Sequence, residues 1–328
     1  VVVGNMLSSI SSRQEHLGAL MADSLGLGGI PAYKVEAAGA SGGMAVNLGY
    51  TSVKSGEVDA VLVIGVEKMR DLEPGEVVQA LTMAENSEFT QFVGVTSVAL
   101  NAMLARLYMN EYGVTREELS AFPVLAHQNA LSAEHAQFRK AITYEDVAKS
   151  MAVSDPLRLL DCAPVGDGAA AILLIGEDKV GDVKKGLVEV LSSAVVTNRF
   201  NIYEREDMLD FTATGVATQK ALSAAHIRLL NLDFIEIHDA FSVSAALTVE
   251  AMKLSRRGRG ARDAKMGRYS FEGEIPANTF GGLKGRGNPI GAVGVYQIAE
   301  AYLQLTGKAG ANQVKDAQIG LTHNMGGV

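Results

Sequence analysis

The chain has 328 residues, 48% hydrophobic and 20% charged, which is enough for a large core and about two domains. Its net charge of −8 argues against bulk nucleic-acid binding. The single cysteine, Cys162, excludes an intramolecular disulfide and a cysteine-cluster metal site, and is typical of a reducing cytosol. No apolar stretch is long enough for a membrane span and no signal peptide begins the chain, so we expect a cytoplasmic protein without metal or membrane contact.

The first 66 residues alternate between strand and helix patterns. Val1 to Gly4 predicts a buried strand, and apolar residues at helical spacing predict a helix over about 14–25. A strand over 33–37, a helix over about 41–55 and an unbroken apolar run over 59–66 follow. Such a run is typical of a strand buried on both faces of a parallel sheet, so the order predicts α/β layering. The chain begins inside a strand and stops abruptly at Val328, so we expect a fragment at both ends.

After Glu67 the sequence pattern changes to that of helices joined by polar loops. A long helix is predicted over 97–112, a capping box begins another at Thr115, and a third begins near Thr143. This block predicts a helical lid inserted between two strands, because residues 169–175 return to the buried-strand pattern.

A second α/β unit follows, although it shows no residue-level repeat of the first. We predict strands over 188–196, 232–237 and 318–322, and helices over 212–226, 242–254 and 290–305. Ligands of open α/β sheets bind beyond the carboxyl ends of the strands. Four turns lie where such a site would form: Ala38–Gly42, His238–Phe241, Gly281–Gly291 and His323–Gly327.

The turn around Gly39 is built from small residues at the start of a helix. A helix N-terminus offers free N–H groups and partial positive charge, and this kind of turn is a usual location for a nucleophile or an oxyanion. Here Gly39 occupies the apex, so no side chain there can attack a substrate.

Two of the six histidines, His238 and His323, come immediately after predicted strands. Each is either a core histidine bonded to a carbonyl or an acid, base or oxyanion donor, and their joint placement favours function. Cys162 has no basic neighbour that would favour a thiolate, so we expect it to be inert. The basic run 256–262 is either a solvated loop or a contact for an anionic ligand.

These turns together resemble the thiolase superfamily, and the archaeal and sterol-carrier-protein-type acetyl-CoA acetyltransferases in particular. Val35-Glu-Ala-Ala-Gly-Ala-Ser-Gly-Gly43 matches the nucleophile motif VEAACASGG of that branch at every position but one. Further matches cover the whole chain in order: Val66–Met69, Pro156–Cys162, Asp167–Ala170, Arg205–Met208, His238–Phe241, Gly281–Lys284 and Thr322–Gly327.

The resemblance implies two similar βαβαβ halves in a layered α/β/α/β/α arrangement. Residues 1–66 would form the N-terminal half without its first strand and helix, and 67–165 the inserted helical loop domain. Residues 166–180 would hold the final strand of that half, and 181–328 the C-terminal half without its last strand.

The resemblance also implies roles for site residues. Gly39 replaces the cysteine that takes the acyl group, and Asn288 replaces the histidine that acts as its base. His323 matches the group that moves the α-proton, and His238 matches a position that organises an oxyanion site, completed by backbone N–H groups of Gly39 and Gly326. Coenzyme A or acyl-CoA is the expected substrate, with no covalently bound cofactor. Its contacts are expected from small residues of the same turns: Ser41, Gly281, Gly282, Leu283 and Gly291.

The two replacements change the expected mechanism. Glycine cannot form a thioester and asparagine cannot accept a proton at neutral pH, so the acyl-transfer step is expected to lose several powers of ten in rate. Three hypotheses remain: an acyl-CoA-binding thiolase relative with an impaired covalent step, a cysteine-independent retro-aldolase, or a non-catalytic scaffold. The resemblance further implies a homodimer or tetramer, with a zinc-ribbon/OB-fold protein and 3-hydroxy-3-methylglutaryl-CoA synthase as partners.

Overall fold

The fold is given by a computed structural model, which describes residues 1–181 and 186–328. Residues 182–185, at the start of the predicted C-terminal half, lie outside the described residues. The strands are β1 Val2–Gly4, β2 Tyr33–Val35, β3 Ala60–Glu67, β4 Ala152–Ser154, β5 Leu157–Arg158, β6 Gly168–Ile175, β7 Phe234–Glu236 and β8 Gly320–Thr322.

The helices alternate with these strands and are most numerous between β3 and β6. They are α1 Ser8–Ser11, α2 Leu17–Ser24, α3 Ser41–Lys54, α4 Pro74–Thr82, α5 Ser97–Tyr112, α6 Arg116–Leu119, α7 Ala121–Asn129, α8 Tyr144–Lys149, α9 Thr212–Ala224, α10 Ser242–Ala251, α11 Gly260–Lys265, α12 Gly282–Gly285 and α13 Val293–Leu305. In the described part of the chain, no helix combines the length and the apolar character that crossing a membrane requires.

A four-stranded sheet organises the first half, in the order β2-β1-β3-β6. β1 is parallel to both β2 and β3, as the alternating pattern predicts, whereas β6 is antiparallel to β3. β3 and β6 pair over their full length, Ala60 opposite Ile175 and Glu67 opposite Gly168. The chain between them carries α4 to α8, so the helical block leaves and rejoins the sheet at adjacent strands.

β6 differs from the prediction that it is buried on both faces. Alternate residues of β6 are exposed, and 65% of the Leu173 surface is accessible. The reason is that the helices packed against β6, α3 and α13, cover the face that carries Ala170, Ile172 and Leu174 and leave the alternate residues open. An apolar run by itself does not distinguish a strand covered on two faces from one covered on a single face.

The second half contains a parallel pair of strands, β7 and β8, in the register Phe234–Gly320 and Glu236–Thr322. Both strands were predicted from their apolar runs. The predicted strand over 188–196 is wrong, because this segment pairs with no other strand in the described residues. Most of its side chains from Val190 to Val196 line an open cavity instead.

The two halves meet where helices α3 and α13 cross. A Cβ atom on Gly42 would lie 2.8 Å from the Gly294 nitrogen, and a Cβ on Gly294 would lie 2.2 Å from the Gly43 nitrogen. Only glycine permits backbones to approach this closely. The contact therefore fixes the N-terminus of α3 against the second half.

The largest core joins the inserted helices to the second half. Helix α10 is buried along its whole length, and its apolar residues pack with those of α5, α7 and α11. Polar contacts reinforce this packing: Ser244 Oγ donates to Asn101 Oδ1 at 2.8 Å, and the Tyr108 hydroxyl donates to Glu250. The inserted block is thereby held rigidly over the helix that follows His238.

Candidate active site

The turn around Gly39 is held by the side chain at the start of α3. Ser41 Oγ accepts a hydrogen bond from the Ala37 N–H at 2.9 Å and donates to the Ala38 carbonyl at 2.7 Å. Ala38 lies in the left-handed region, with φ of 48°, which is a strained conformation for a residue with a side chain. Ser41 is fully buried and uses its hydroxyl within the turn, so the contact with coenzyme A that was expected of it stays a prediction.

Gly39 itself has no room for a side chain in this structure. An ideal Cβ would lie 2.5 Å from the Met325 carbonyl oxygen and 3.2 Å from His238 Cε1. The first distance is shorter than real Cβ atoms show, and the blocking atom belongs to the backbone. The lost nucleophile is therefore accompanied by closure of the space that a nucleophile would need.

His238 is brought against this turn in a defined tautomer. Asn324 Oδ1 accepts from the Gly43 N–H at 2.9 Å, so its amide nitrogen faces His238 Nδ1, 3.0 Å away. An amide nitrogen only donates, so Nδ1 accepts and the imidazole proton resides on Nε2. This Nε2 lies 3.5 Å from the Cβ position of Gly39. His238 therefore presents an N–H donor to the turn.

Burial, aided by the imidazole of His323 and the cations Arg286 and Lys284, lowers the pKa of His238 to about 3. The side chain is only 5% exposed. It is neutral at physiological pH and cannot serve there as an effective base. A neutral, oriented N–H donor matches the role in oxyanion stabilisation that the sequence predicts for His238.

His323 follows β8 as His238 follows β7, so the parallel pairing of these strands brings both imidazoles to one edge. The His323 N–H donates to the Glu236 carbonyl at 2.7 Å, and its Nε2 lies 3.0 Å from Thr214 Oγ1. Burial lowers the pKa of His323 to about 4. Its Nδ1 is buried and has no hydrogen-bond partner among the described residues.

Asn288 lies on a different loop and makes no recorded contact with Gly39 or His238 in the described chain. Its backbone pairs with Val165, and its Oδ1 is buried without a hydrogen-bond partner among the described residues. Gly287 immediately before it has φ of 116°, a conformation that favours glycine. The predicted role of Asn288 at the base position stays a prediction.

The other glycines predicted to contact substrate are buried in packing contacts. A Cβ on Gly281 would lie 2.6 Å from the Ala130 side chain, and one on Gly291 would lie 2.7 Å from Glu67 Oε2. Gly282 and Leu283 begin α12, and the Leu283 N–H donates to Asp239 Oδ1 at 2.7 Å. None of these four residues lines the large cavity described below. Their contact with coenzyme A stays a prediction.

A buried network of charges lies behind the two histidines. Arg286 Nε is 3.0 Å from Glu300 Oε1, His135 Nε2 is 2.9 Å from the same oxygen, and the Thr279 hydroxyl donates to Glu236 at 2.6 Å. Burial and the neighbouring Glu300 raise the pKa of Glu236 to about 8. The network fixes β7 and α13, the elements that position His238 and accept the His323 backbone.

Two features outside the four turns, Cys162 and the basic run 256–262, also had competing interpretations. Burial raises the pKa of the Cys162 thiol to about 11, which agrees with the inert thiol that the sequence predicts. Within the basic run, Arg257 pairs with Asp207, and Arg262 Nε lies 3.1 Å from Glu118 Oε1. The run is a loop only as far as Arg259, because α11 begins at Gly260, and its paired arginines fit a structural role better than contact with an anionic ligand.

A cavity of about 650 Å³ opens beside the Gly39 turn. Its walls come from the turn itself, the loop that follows β8, helix α9 and the segment 192–200. The titratable residues that line it are Glu36, Glu85, Arg199, Arg205 and His323. The cavity therefore combines an apolar wall, two guanidinium groups and the His323 imidazole, which suits an elongated ligand that carries anionic groups.

The sequence analysis missed Asn324, which orients His238, and Glu85, which lines the cavity. Asn324 is adjacent to His323 in one of the four predicted site turns, so its position could have identified it as a site residue. Glu85 carried none, because it lies between helices in a polar stretch that resembles a solvated loop.

Two family models match the chain. The model described as "Thiolase, N-terminal domain" matches residues 1–178, and the model described as "Thiolase C-terminal domain-like" matches residues 194–328. The chain belongs to the thiolase family. The family resemblance and the α/β thiolase-like fold predicted from the motifs are thereby confirmed.

Relatives of this thiolase bear two kinds of name. It is 42% identical over 325 residues to "Acetyl-CoA acetyltransferase" of Methanothermobacter thermautotrophicus, a match that covers 99% of this chain and 84% of that protein. It is 30% identical over 315 residues to "Sterol carrier protein 2" of Oryctolagus cuniculus, covering 92% of this chain and 58% of that protein. Both relatives lie in the branch that the motifs indicated.

Solved structures give the same fold. "Ltp2-ChsH2(DUF35) aldolase" superposes with a TM-score of 0.84 at 22% identity, over 100% of this thiolase and 84% of that chain. "Structure of Acetyl-CoA acetyltransferase from Syntrophomonas wolfei" superposes with a TM-score of 0.65 at 20% identity, over 93% and 80%. At these identities the likeness concerns the fold.

Proposed function

We propose that this thiolase relative binds an acyl-CoA in the 650 Å³ cavity and stabilises its thioester oxygen without forming an acyl-enzyme. The observation that carries this proposal is the closed nucleophile position. Gly39 has no side chain, and the Met325 carbonyl oxygen lies only 2.5 Å from the position that a Cβ would take. A covalent step therefore lacks both its atom and its space.

The hydrogen-bond donors that would stabilise an oxyanion are present, and this supports the binding of a thioester. His238 keeps its Nε2 proton because Asn324 donates to Nδ1, and its pKa of about 3 keeps it neutral. The N-terminus of α3 contributes partial positive charge at the same turn. A carbonyl oxygen that gains negative charge would be stabilised between these groups, together with the proposed backbone donors Gly39 and Gly326.

The cavity charge supports coenzyme A as the carrier of the acyl group. Arg199 and Arg205 line the same cavity as the Gly39 turn, and Arg199 forms no ion pair among the described residues. Guanidinium groups bind phosphate through paired N–H donors. A phosphate-bearing arm bound at Arg199 would share the cavity with Ala38, Ala40 and His323, which would then lie near the acyl end.

The direct test is a pair of measurements on the chain as it is. Incubation with acetoacetyl-CoA and coenzyme A should give near-zero thiolysis, followed as loss of the thioester. Calorimetric titration with coenzyme A should nevertheless show binding. Brisk thiolysis would contradict the proposed loss of the covalent step, and absence of both heat and a thermal shift would contradict acyl-CoA binding.

A variant with Gly39→Cys and Asn288→His tests whether the scaffold can be returned to acyl transfer. Recovery of thiolysis requires the Met325 carbonyl to move, because the new Cβ starts 2.5 Å from it. We expect the double variant to regain some thiolysis if that loop shifts. A folded double variant without thiolysis would favour a repurposed site.

The second candidate is a C–C lyase that cleaves an acyl-CoA side chain. The observation that favours it is that the site has oxyanion donors but no nucleophile. Stabilisation of an enolate needs the donors and does not need the nucleophile. Release of a carbonyl fragment from a 3-hydroxyacyl-CoA would identify this reaction. Binding of coenzyme A without either turnover would favour the third candidate, a scaffold in an acyl-CoA complex.

We also propose the assembly that the family resemblance implies: a homodimer or tetramer in the cytoplasm, with a zinc-ribbon/OB-fold subunit and 3-hydroxy-3-methylglutaryl-CoA synthase as candidate partners. Support for a second subunit comes from the Ltp2-ChsH2(DUF35) aldolase of the same fold, whose name joins Ltp2 to ChsH2. Size-exclusion chromatography with light scattering tests the oligomer, and co-purification with each tagged partner tests the complexes.

A further inference from the structure

Thr214 makes the one side-chain hydrogen bond that the His323 ring has within the described chain. Its Oγ1 lies 3.0 Å from His323 Nε2, and both residues line the 650 Å³ cavity. Thr214 is only 5% exposed. Buried polar groups are nearly always paired, and here the hydroxyl and the imidazole are paired with each other. The contact joins helix α9 to the histidine that follows β8.

The backbone of Thr214 is held in the first turn of α9. A Cβ on the next residue, Gly215, would lie 3.0 Å from the Ala251 carbonyl oxygen at the end of α10. A close approach of this kind between two helices leaves the turn little freedom to move. The Thr214 hydroxyl is therefore presented to His323 from a fixed support.

The backbone of His323 is fixed by two other elements. Its N–H donates to the Glu236 carbonyl of β7 at 2.7 Å, and its carbonyl accepts from Gln297 Nε2 of α13 at 2.9 Å. These bonds leave the ring free to rotate about its side-chain bonds. The Thr214 hydroxyl, on a third element, restricts this rotation, because a hydrogen bond to a ring nitrogen favours one orientation of the ring.

The neighbouring Thr218 shows how a threonine of α9 otherwise uses its hydroxyl. Its Oγ1 donates to the Thr214 carbonyl at 2.8 Å, within the helix. Helical threonines commonly bond a carbonyl three or four residues back in this way. Thr214 makes no such bond in the part of the chain that the structure describes, and its hydroxyl is directed at His323 instead.

The contact distinguishes the two nitrogens of the His323 ring. Nε2 is held by Thr214, whereas Nδ1 is buried and has no hydrogen-bond partner in residues 1–181 and 186–328. Burial lowers the pKa of His323 to about 4, so the resting ring is neutral. A hydroxyl can donate to a bare Nε2 or accept from Nε2–H, so Thr214 keeps its contact in either tautomer and when Nδ1 gains a proton.

We propose that Thr214 is a positioning residue for His323, and that it holds Nε2 so that Nδ1 is the nitrogen that exchanges a proton with the α-carbon of a bound acyl-CoA. In that step the Cα–H bond breaks, the proton forms an N–H bond at Nδ1, and the electron pair moves into the thioester carbonyl. Thr214 Oγ1 accepts from Nε2–H of the resulting imidazolium. Return of the proton to Cα restores the ligand, so no further reactant is required.

This inference rests on the proposed acyl-CoA binding and on the role that the family resemblance gives to His323. It adds the residue that orients the ring and the nitrogen that acts. An uncharged hydroxyl suits this task, since it can hold Nε2 before and after proton transfer without adding a charge to the cavity.

Nitrogen-15 NMR of the histidine rings in the ligand-free chain tests the contact itself. Thr214→Val keeps the shape of the side chain and removes the hydroxyl, so we expect the Nε2 resonance of His323, identified by its absence in His323→Gln, to shift. Thr214→Ser keeps a hydroxyl and should restore the resonance. Thr212→Val is the control, because this exposed hydroxyl of the same helix turn bonds Asp210 and not His323. An unshifted resonance in Thr214→Val would overturn the inference.

Exchange of the α-protons of acetyl-CoA in D2O, followed by mass spectrometry, tests the effect of the contact on proton transfer. We expect exchange to be about 10- to 100-fold slower in Thr214→Val than in the unaltered chain, because a misaligned ring seldom brings Nδ1 to the α-carbon. Thr214→Ser should recover most of the rate, and Thr212→Val should retain all of it. Coenzyme A affinity, measured by calorimetry, should change by less than about threefold, since the hydroxyl acts through His323.

The outcomes separate this inference from the proposed function. Exchange at the unaltered rate by folded Thr214→Val would overturn the inference, as would an unaltered chain that binds acetyl-CoA and exchanges nothing. A loss of exchange that Thr214→Ser fails to rescue would indicate a packing effect and would also count against it. Failure to bind acetyl-CoA or coenzyme A would overturn the proposed function, whereas the Nε2 resonance would still decide whether Thr214 holds His323.

Discussion

The turns at Gly39 and His238 lie against each other in the site and differ in what they offer a ligand: one offers only backbone, the other an oriented side chain. The Gly39 turn retains its backbone, with Ser41 bridging Ala37 and Ala38, but lacks a reactive side chain. The His238 turn retains its side chain, held in one tautomer by Asn324. Because Ser41 and not the apex residue holds this turn, its shape does not depend on a side chain at position 39. The oriented imidazole, in contrast, depends on a chain of hydrogen bonds that crosses between the two halves.

The comparison predicts its largest effect at the retained side chain. His238→Ala removes the N–H that faces the thioester oxygen, so we expect α-proton exchange of acetyl-CoA to fall about 10²- to 10³-fold. Coenzyme A affinity should be nearly unchanged. The matched control is His226→Asn, at an exposed histidine whose φ of 55° asparagine tolerates. Equal exchange rates in His238→Ala and the unaltered chain would remove His238 from the site.

The second effect is on stability against acid. His238 and His323 have pKa values of about 3 and 4 when folded, against 6.5 for a free histidine. Because the unfolded chain binds these protons first, the stability they contribute is complete above pH 6.5 and is lost as pH falls through the folded values. Urea unfolding between pH 4 and 7 should show this decline.

The same measurement on His238→Gln isolates the contribution of one imidazole. The decline in acid should be shallower in this variant than in the unaltered chain. The pH dependence of stability that Glu236 contributes has the opposite sign, since its pKa of about 8 lies above the ordinary 4.5. The stability it contributes is lost as pH rises through 8. An unchanged slope in His238→Gln would contradict the burial of a neutral His238.

The third effect is at the turn that lost its side chain. Gly39→Ala and Gly39→Cys both add a Cβ 2.5 Å from the Met325 carbonyl, so we expect each to lower the free energy of unfolding by about 1–3 kcal/mol. The alanine variant separates the effect of the Cβ from that of the thiol. Gly28→Ala is the control, because nothing lies within 4 Å of its Cβ position. Unchanged unfolding midpoints in both Gly39 variants would show that the Met325 loop yields without cost.

The smallest effect is at the hydroxyl that supports the Gly39 turn. Ser41→Ala leaves the half-buried Ala37 N–H without its partner, whereas the Ala38 carbonyl still accepts from the Ser41 N–H at 3.1 Å. We therefore expect a loss of about 1 kcal/mol. Ser24→Ala removes a similar hydroxyl-to-carbonyl bond from an exposed helix end, and should change stability by less than about 0.5 kcal/mol. Equal losses in the two serine variants would show that burial of Ser41 contributes nothing.

Much of the fold was readable from the sequence because its signals are local. The helix at Ser41 was predicted to within a residue, since its small-residue start is unbroken by competing patterns. The strand at 188–196 was predicted wrongly, because an apolar stretch of chain lines a cavity as readily as it joins a sheet. The exposed face of β6 was missed for a related reason, since the number of faces that helices cover is not written in the strand's own residues.

The sequence by itself determined the family, the order of the elements and the loss of the nucleophile at Gly39, because motif identity and chain order are properties of neighbouring residues. Only the tertiary structure decided the tautomer of His238, the closure of the Gly39 position by the Met325 carbonyl, and the contact of Thr214 with His323. Each of these depends on atoms from segments far apart in the chain. Distances between such atoms, and the pKa values that burial sets, exist only once the two halves have packed together.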